Sequence, residues 1–271
     1  MSVACHGDGE SIYALPTRNM AVQRINRFIR KMDMKEVEAD LISLTRAETD
    51  PGVYVCDASL EDWKRYVKSE QQALLSRAMA WNHGKIYIVE LPGRIHDKIS
   101  RSLDIAVISA TGTGEEHLLS CGSAFVDTLA HIEPDSSFGP APGFGATLPH
   151  GLTWMEYHTL KVEVGVARGW PHLDAKAVQW SQFPGVEYIL LIRLSPALRV
   201  YQYKLHSVVG GAIEPPAMVA TPIMNPTNVV LDSRRLLGLP ALAPIPAHFT
   251  ALNLTIDLFP LVQRIIALAN A

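Results

Sequence analysis

The sequence predicts a mixed α/β protein of the α+β kind, with strands that run in both directions. The main observation is the order of elements between residues 160 and 206, where a strand, a helix, a strand, a turn and another strand follow one another. The second observation is the composition: 48% of the 271 residues are hydrophobic and 19% are charged. This balance supports a sizeable core and excludes a mostly disordered chain or a highly charged coiled coil.

Residues 1–82 are predicted to form an N-terminal helical segment. Residues 19–45 place apolar side chains at steps of three and four, which is the period of a helix with one buried face. A second helix is predicted over residues 59–81, with Ser59 as its N-cap and Asp62 in the position of the capping-box acid. Within this segment, residues 1–16 are expected to form a leader that precedes the first helix.

Residues 83–209 are predicted to form the core. A Gly/Pro-rich stretch at 135–150 is expected to be an irregular loop, and such loops often lie over functional sites. Residues 103–109 fit either a strand or the end of the preceding helix. The other expected elements are strands at 85–90, 160–166, 186–194 and 198–206, and helices at 93–103 and 173–183.

Residues 210–271 are predicted to form a proline-rich wrap that ends in a strand and a helix packed on the core. The apolar stretch 249–271 is interrupted by Asp257, Pro260 and Arg264, which argues against a membrane span. The first residues lack the apolar run of a signal peptide. The three cysteines are widely spaced without a CxxC pair, which favours free thiols in a reducing compartment. We therefore expect an intracellular protein, cytoplasmic or nuclear, that does not bind a membrane.

Three ionisable residues carry the chemistry that the sequence suggests. Asp135 lies in IEPDSSFG, Glu163 in the strand LKVEVGV, and Lys176 in the helix LDAKAVQW. Side chains alternate along a strand, so Glu163 shares one face with Lys161 while the apolar residues share the other. An unpaired buried carboxylate is costly, and a divalent metal shared with Asp135 would satisfy both acids. Oxygen ligands of this kind suit Mg²⁺.

These segments, in this order, resemble the PD-(D/E)XK nucleases, and most closely their restriction-endonuclease branch. The resemblance covers roughly residues 85–206 and is best between Pro134 and Leu194. It implies a restriction-endonuclease-like mixed sheet flanked by helices and a metal-dependent nuclease that hydrolyses phosphodiester bonds of DNA. It also implies that Asp135 and Glu163, with the backbone carbonyl of Val164, hold Mg²⁺ or Mn²⁺.

The sequence departs from the family pattern at Gly165, where the motif lysine would stand. In the branch that it resembles, this lysine has moved to the following helix, a position that Lys176 matches. Lys161, which lies on the same strand face as Glu163, is the alternative lysine. If neither reaches the metal site, the resemblance implies a catalytically silent nuclease fold.

Local basic residues are expected to contact the backbone of the nucleic acid. They are Arg168 in the turn before the Lys176 helix, and Arg94 and Lys98 on the helix around residue 96. The formal net charge of −3 excludes a globally basic, histone-like binder but not a local basic groove. A homodimer is common among nucleases that cut both strands, although no interface is evident from the chain.

Other interpretations remain open at this point. Glu163 can pair with Lys161 on its own strand or with Lys204 on a neighbouring strand, and Lys176 can pair with Asp174 on its own helix. For His96 we favour a hydrogen-bonded structural role. The protein is then a catalytically silent nucleic-acid-binding module, or an interaction protein whose carboxylates only stabilise loops.

Overall fold

The computed structural model describes residues 18–43, 45–123 and 132–270, and the predicted leader lies outside these ranges. The helices are α1 (Arg18–Ile29), α2 (Met34–Leu41), α3 (Leu60–Val67), α4 (Arg94–Ala110), α5 (Trp170–Ser181), α6 (Ser233–Leu236) and α7 (Leu258–Ala269). The strands are β1 (Val53–Asp57), β2 (Met79–Asn82), β3 (Lys85–Ile88), β4 (Leu118–Ser120), β5 (Ser136–Pro140), β6 (Leu160–Gly165), β7 (Tyr188–Leu194), β8 (Tyr201–Val209), β9 (Ala212–Glu214), β10 (Thr221–Pro222), β11 (Asn228–Asp232) and β12 (Asn253–Asp257).

The described residues form a seven-stranded mixed sheet with the order β10–β8–β7–β6–β5–β4, and β9 pairs on β8. Among the strands that the structure describes, only β6 and β7 pair in parallel, and α5 connects them. Both strands are buried almost throughout, as expected of apolar strands that are covered on both faces. The mixed α/β class that the sequence predicted is therefore confirmed.

The two faces of β6 bury different kinds of side chain. Leu160, Val162 and Val164 enter the largest apolar cluster, together with residues of α4 and α7. The alternating residues, Lys161 and Glu163, point to the other face, which α5 covers. The pleat of one strand therefore places charged side chains beneath a helix.

The N-terminal part contains strands as well as helices. β1, β3 and β2 form an antiparallel sheet, and their apolar residues pack with α1 and α3. The helix predicted over 59–81 is therefore wrong beyond Val67, where α3 ends. β2 and β3 form a hairpin whose turn residues, His83 and Gly84, both have positive φ, as two-residue hairpin turns require. This hairpin spans residues 82 and 83, where the sequence analysis placed the boundary between the N-terminal segment and the core.

The stretch predicted as an irregular loop at 135–150 begins with a strand. β5 pairs with β4 on one side and with β6 on the other, and this pairing overrides the turn-forming composition. Gly139 is required there because a Cβ at this position would lie 1.9 Å from the carbonyl oxygen of Tyr157. Residues 103–109 are the end of α4 rather than a strand.

The C-terminal strand and helix that the sequence predicts are present. β12 pairs with β11 as a two-stranded antiparallel sheet, and α7 follows it directly. Leu231 and Leu254 on these strands are fully buried in the largest apolar cluster, which fixes this region to the core. No helix in the part of the chain that the structure describes is long and apolar enough to cross a bilayer.

Candidate active site

The first two candidate residues lie on neighbouring strands. Asp135 immediately precedes β5, and its N–H donates to the carbonyl of Val162 on β6 at 3.1 Å. Its carboxylate Oδ2 accepts a hydrogen bond of 2.7 Å from the N–H of Val164. The antiparallel register thus places the Asp135 carboxylate beside the strand residue that follows Glu163.

Glu163 is fully buried and both of its oxygens accept hydrogen bonds from α5. Lys176 Nζ donates to Oε2 at 2.7 Å, and Trp180 Nε1 donates to Oε1 at 2.7 Å. Lys176 and Trp180 are four residues apart, so they share one face of the helix. Lys176 also donates to the carbonyl of Glu133 at 2.9 Å. The structure therefore brings the helix-borne lysine into direct contact with the strand carboxylate.

The alternative lysine, Lys161, contacts a different set of groups. Its side chain is fully buried, and Nζ lies 2.6 Å from His158 Nδ1. The ammonium position is also 4.5 Å from the ring centre of Trp180 and 5.1 Å from that of Phe183. Burial lowers the pKa of Lys161 to about 7. Lys176 rather than Lys161 is thus the lysine that touches Glu163.

Arg168 lies between the carboxylates, with only 2% of its side chain exposed. Its Nε is 2.9 Å from Glu90 Oε2, and Nη1 is 3.6 Å from Glu163 Oε2 and 3.9 Å from Asp135 Oδ2. Nη2 donates to the carbonyl of Arg77 at 2.8 Å. The expected contact of Arg168 with a nucleic-acid backbone stays a prediction, but the guanidinium is buried against carboxylates that need its charge rather than exposed at the surface.

Two further residues, Glu90 and His96, belong to this buried polar cluster. Its other members are Asp135, Glu163, Arg168 and Lys176. Glu90 is buried just after β3, and its Oε1 accepts from the N–H groups of Val166 and Ala167 at 2.8 and 3.3 Å. His96 on α4 is buried, and its Nε2 lies 3.2 Å from Asp135 Oδ1. Sequence reasoning missed Glu90. The available signal was an acid at the end of an otherwise apolar strand.

The two acids of the predicted site differ in their affinity for protons. Burial raises the pKa of Glu163 to about 7, although Lys176 works against this rise. Burial would also raise the pKa of Asp135, but the charges of Arg168 and His96 outweigh it and hold that pKa far below its usual range. The same carboxylate raises the pKa of His96 against the opposing effect of burial. Asp135 is thus the permanent anion of the pair.

Among the cavities that border the cluster, two contain candidate site residues with exposed charge. A cavity of about 210 Å³ is lined by Lys176, Arg168 and Glu133, and it is the side from which Lys176, 16% exposed, can be reached. A larger one of about 690 Å³ is lined by Glu90, His96 and the N-terminal turn of α4. Arg94 and Lys98 are exposed at this second cavity, where the sequence analysis expected surface cations.

The oxygen atoms at this site are of the type that a hard divalent cation binds, but Arg168 lies within 4 Å of both carboxylates and both oxygens of Glu163 accept hydrogen bonds. Asp135 Oδ1 is buried and has no hydrogen bond of good geometry, although His96 Nε2 lies 3.2 Å from it. Because the N–H of Val164 points at Asp135, the carbonyl of Val164 faces the same strand edge. Within the described residues, no group of three or more His, Cys, Asp or Glu side chains is arranged to hold a metal. Two carboxylates and a carbonyl are nevertheless the sparse oxygen set that Mg²⁺ uses when substrate phosphates supply further ligands.

Comparison with models of known protein families, with curated proteins and with solved structures found no match. The functional interpretation therefore depends on the residues and their geometry.

Proposed function

We propose that this chain is a metal-dependent nuclease that hydrolyses phosphodiester bonds of DNA and has a restriction-endonuclease-like core. The observation that supports it is the convergence of Asp135, Glu163 and Lys176 from two strands and the following helix. These residues are 28 and 13 positions apart in the sequence, and their motifs alone predict that they converge.

Asp135, Glu163 and the carbonyl of Val164 would hold Mg²⁺ or Mn²⁺. When bound, the metal supplies a water of lowered pKa and neutralises charge that develops on the phosphate. Trp180 and Lys176 fix the orientation of the Glu163 carboxylate through one hydrogen bond to each oxygen. Asp135 remains ionised at any working pH, because Arg168 and His96 offset the cost of its burial.

Lys176 has a second task in this proposal. Its ammonium is the group of the predicted triad that borders an open cavity, so it can donate to a phosphate oxygen that enters there. A compact ammonium with three donors can keep its bond to Glu163 while it binds the phosphate. Removal of one such donor from a polar active site typically slows catalysis about 10²- to 10³-fold.

A second candidate function follows from the position of Arg168. Its guanidinium already provides a positive charge within 4 Å of both carboxylates. A protein in which this cation permanently replaces the metal would bind nucleic acid or a partner without hydrolysis. This alternative is the catalytically silent member of the same fold.

The experiment that separates these functions is cleavage of plasmid and single-stranded DNA with Mg²⁺ or Mn²⁺. We expect Asp135→Asn and Glu163→Gln to abolish cleavage and Lys176→Met to reduce it about 10²- to 10³-fold. Glu187→Gln is the matched control, because Glu187 pairs with Arg235 outside the cluster. Cleavage that survives in all three variants would come from a contaminant and would refute the nuclease. Salt-sensitive DNA binding without cleavage in the wild type would establish the silent function instead.

A further inference from the structure

The smaller cavity beside the cluster has features that the proposed chemistry does not require. Here we call it the Trp81 pocket: it is the cavity of about 210 Å³ whose walls include Trp63, Trp81, Arg77, Lys176 and Gln179. Trp63 is buried in the wall, whereas Trp81 on β2 is partly exposed. An indole that borders an open cavity offers a flat apolar surface to a planar ligand.

The charges around the Trp81 pocket favour an anionic ligand. Among the described residues that line it, the partly exposed cations Arg77 and Lys176 accompany one carboxylate, Glu133, whereas the charge of Arg168 is compensated by the buried acids behind it. Burial raises the pKa of Glu133, and its carboxylate already accepts a hydrogen bond from Ser76. The larger cavity is lined by two acids, Glu38 and Glu90, and by Arg94, Lys98 and His96. In the Trp81 pocket, Arg77 and Lys176 are the cations that an entering anion can reach.

The size of the pocket limits what can enter. Its volume lies below the roughly 300–1,000 Å³ of pockets that enclose drug-sized ligands. One aromatic ring system fits such a space, whereas a base pair does not. The side-chain amides of Asn82 and Gln179 also line it, and amides offer both donors and acceptors to the edge of a base.

We propose that the Trp81 pocket binds one unpaired base of a nucleic-acid strand against the Trp81 indole, so that the substrate is single-stranded. This inference rests on the proposed function and specifies its substrate class. The base next to the scissile phosphate enters the pocket, and the phosphate lies beside Lys176. Stacking of this kind tolerates any base, because every base has a π-face.

The test measures binding without metal, so that cleavage plays no part in it. A short fluorescein-labelled oligothymidylate is titrated in EDTA and low salt, with fluorescence anisotropy as the readout. We expect Trp81→Ala to weaken binding roughly 5- to 150-fold, from the stacking energy of single bases on aromatic side chains. Trp81→Phe should keep most of the affinity. Trp154→Ala, in which an indole outside the pocket is removed, should bind like the wild type.

A second readout covers the case in which Trp81→Ala does not fold, since Trp81 Nε1 donates to the carbonyl of Ala58. The oligonucleotide should quench tryptophan emission in the wild type and lose most of that effect in Trp81→Phe. Equal quenching in both proteins, or equal binding by the Trp81 and Trp154 variants, would overturn the inference even if the wild type cleaves DNA. Competition by thymidine monophosphate as strong as by the oligonucleotide would also overturn it, in favour of a free-nucleotide site. Trp81-dependent binding without cleavage in Mg²⁺ or Mn²⁺ would support the inference and refute the nuclease.

Discussion

Replacement of Arg168 tests the electrostatic balance of the cluster. Arg168→Met keeps the apolar stem but removes a cation that lies within 4 Å of Glu90, Asp135 and Glu163. Removal of one partner from a buried ion pair typically costs about 3–5 kcal/mol, because the remaining charge is left without compensation. We expect a loss of this size in the free energy of unfolding at neutral pH. For a domain whose total stability is about 5–15 kcal/mol, this loss is severe.

The loss should depend on pH with a definite sign. Burial alone would raise the pKa of Asp135, and Arg168 is the strongest of the groups that hold it below its usual range. A depressed pKa contributes stability that is present above the pKa of the unfolded chain and disappears as the pH falls. The difference between wild type and Arg168→Met should therefore be largest near neutral pH and shrink in acid, where the carboxylates of the variant take up protons.

Urea unfolding at several pH values measures both effects, and Arg193→Met is the matched control. Arg193 pairs with Glu48 at 2.6 Å, but both side chains are partly exposed, so its replacement should cost at most about 1 kcal/mol. If a divalent cation can take the place of the guanidinium, Mn²⁺ at 100 times its dissociation constant should raise the free energy of unfolding of Arg168→Met by about 2.7 kcal/mol. A loss no greater than that of Arg193→Met would refute the view that Arg168 compensates the buried acids.

Two other substitutions test the packing around the site. Lys161→Met should be more stable than the wild type at pH 6–7 and should lose this advantage towards pH 10. The reason is that the pKa of Lys161 is about 7 in the folded chain, whereas the unfolded chain keeps this proton up to about pH 10.5. Chemical denaturation at both ends of that pH range measures the difference, and a difference that does not depend on pH would contradict the reasoning. Gly139→Ala should prevent folding or lower the free energy of unfolding by several kcal/mol, because its Cβ would overlap the carbonyl oxygen of Tyr157 at 1.9 Å. The control is Gly93→Ala, whose Cβ would lie 3.7 Å from its nearest neighbour, so this variant should unfold close to the wild-type thermal midpoint. Similar thermal midpoints for the two variants would contradict this reasoning.

The central strands were predictable because their side-chain pattern has a single interpretation. The alternation in β6 separates Glu163 from its apolar neighbours, and the apolar run of β7 fits a strand covered on both faces. The helix that carries Lys176 follows a turn with Gly169, its N-cap, and Pro171. Local sequence thus determined which face Glu163 occupies and which helix lies over it.

What could not be predicted depends on contacts between distant residues. Arg168 follows a strand in a turn, which is the usual position of a surface cation, and its burial is caused by Glu90, 78 positions earlier. β2 was predicted as helix because its local composition allows either structure, and pairing with β3 decides between them. The hydrophobic periodicity of a short sequence window contains no information about contacts with distant residues.

The short turn at residues 76–78 has a practical consequence for dividing the protein. Ser76 Oγ donates a hydrogen bond to Glu133, and the Arg77 carbonyl accepts one from Arg168. These two hydrogen bonds connect the N-terminal part of the chain to the candidate site. A fragment that begins at residue 83 would keep every motif residue but lose both tethers and one strand of the hairpin. Truncation at that boundary would therefore give an inactive protein for reasons unrelated to catalysis, and expression of the intact chain is the sound way to assay it.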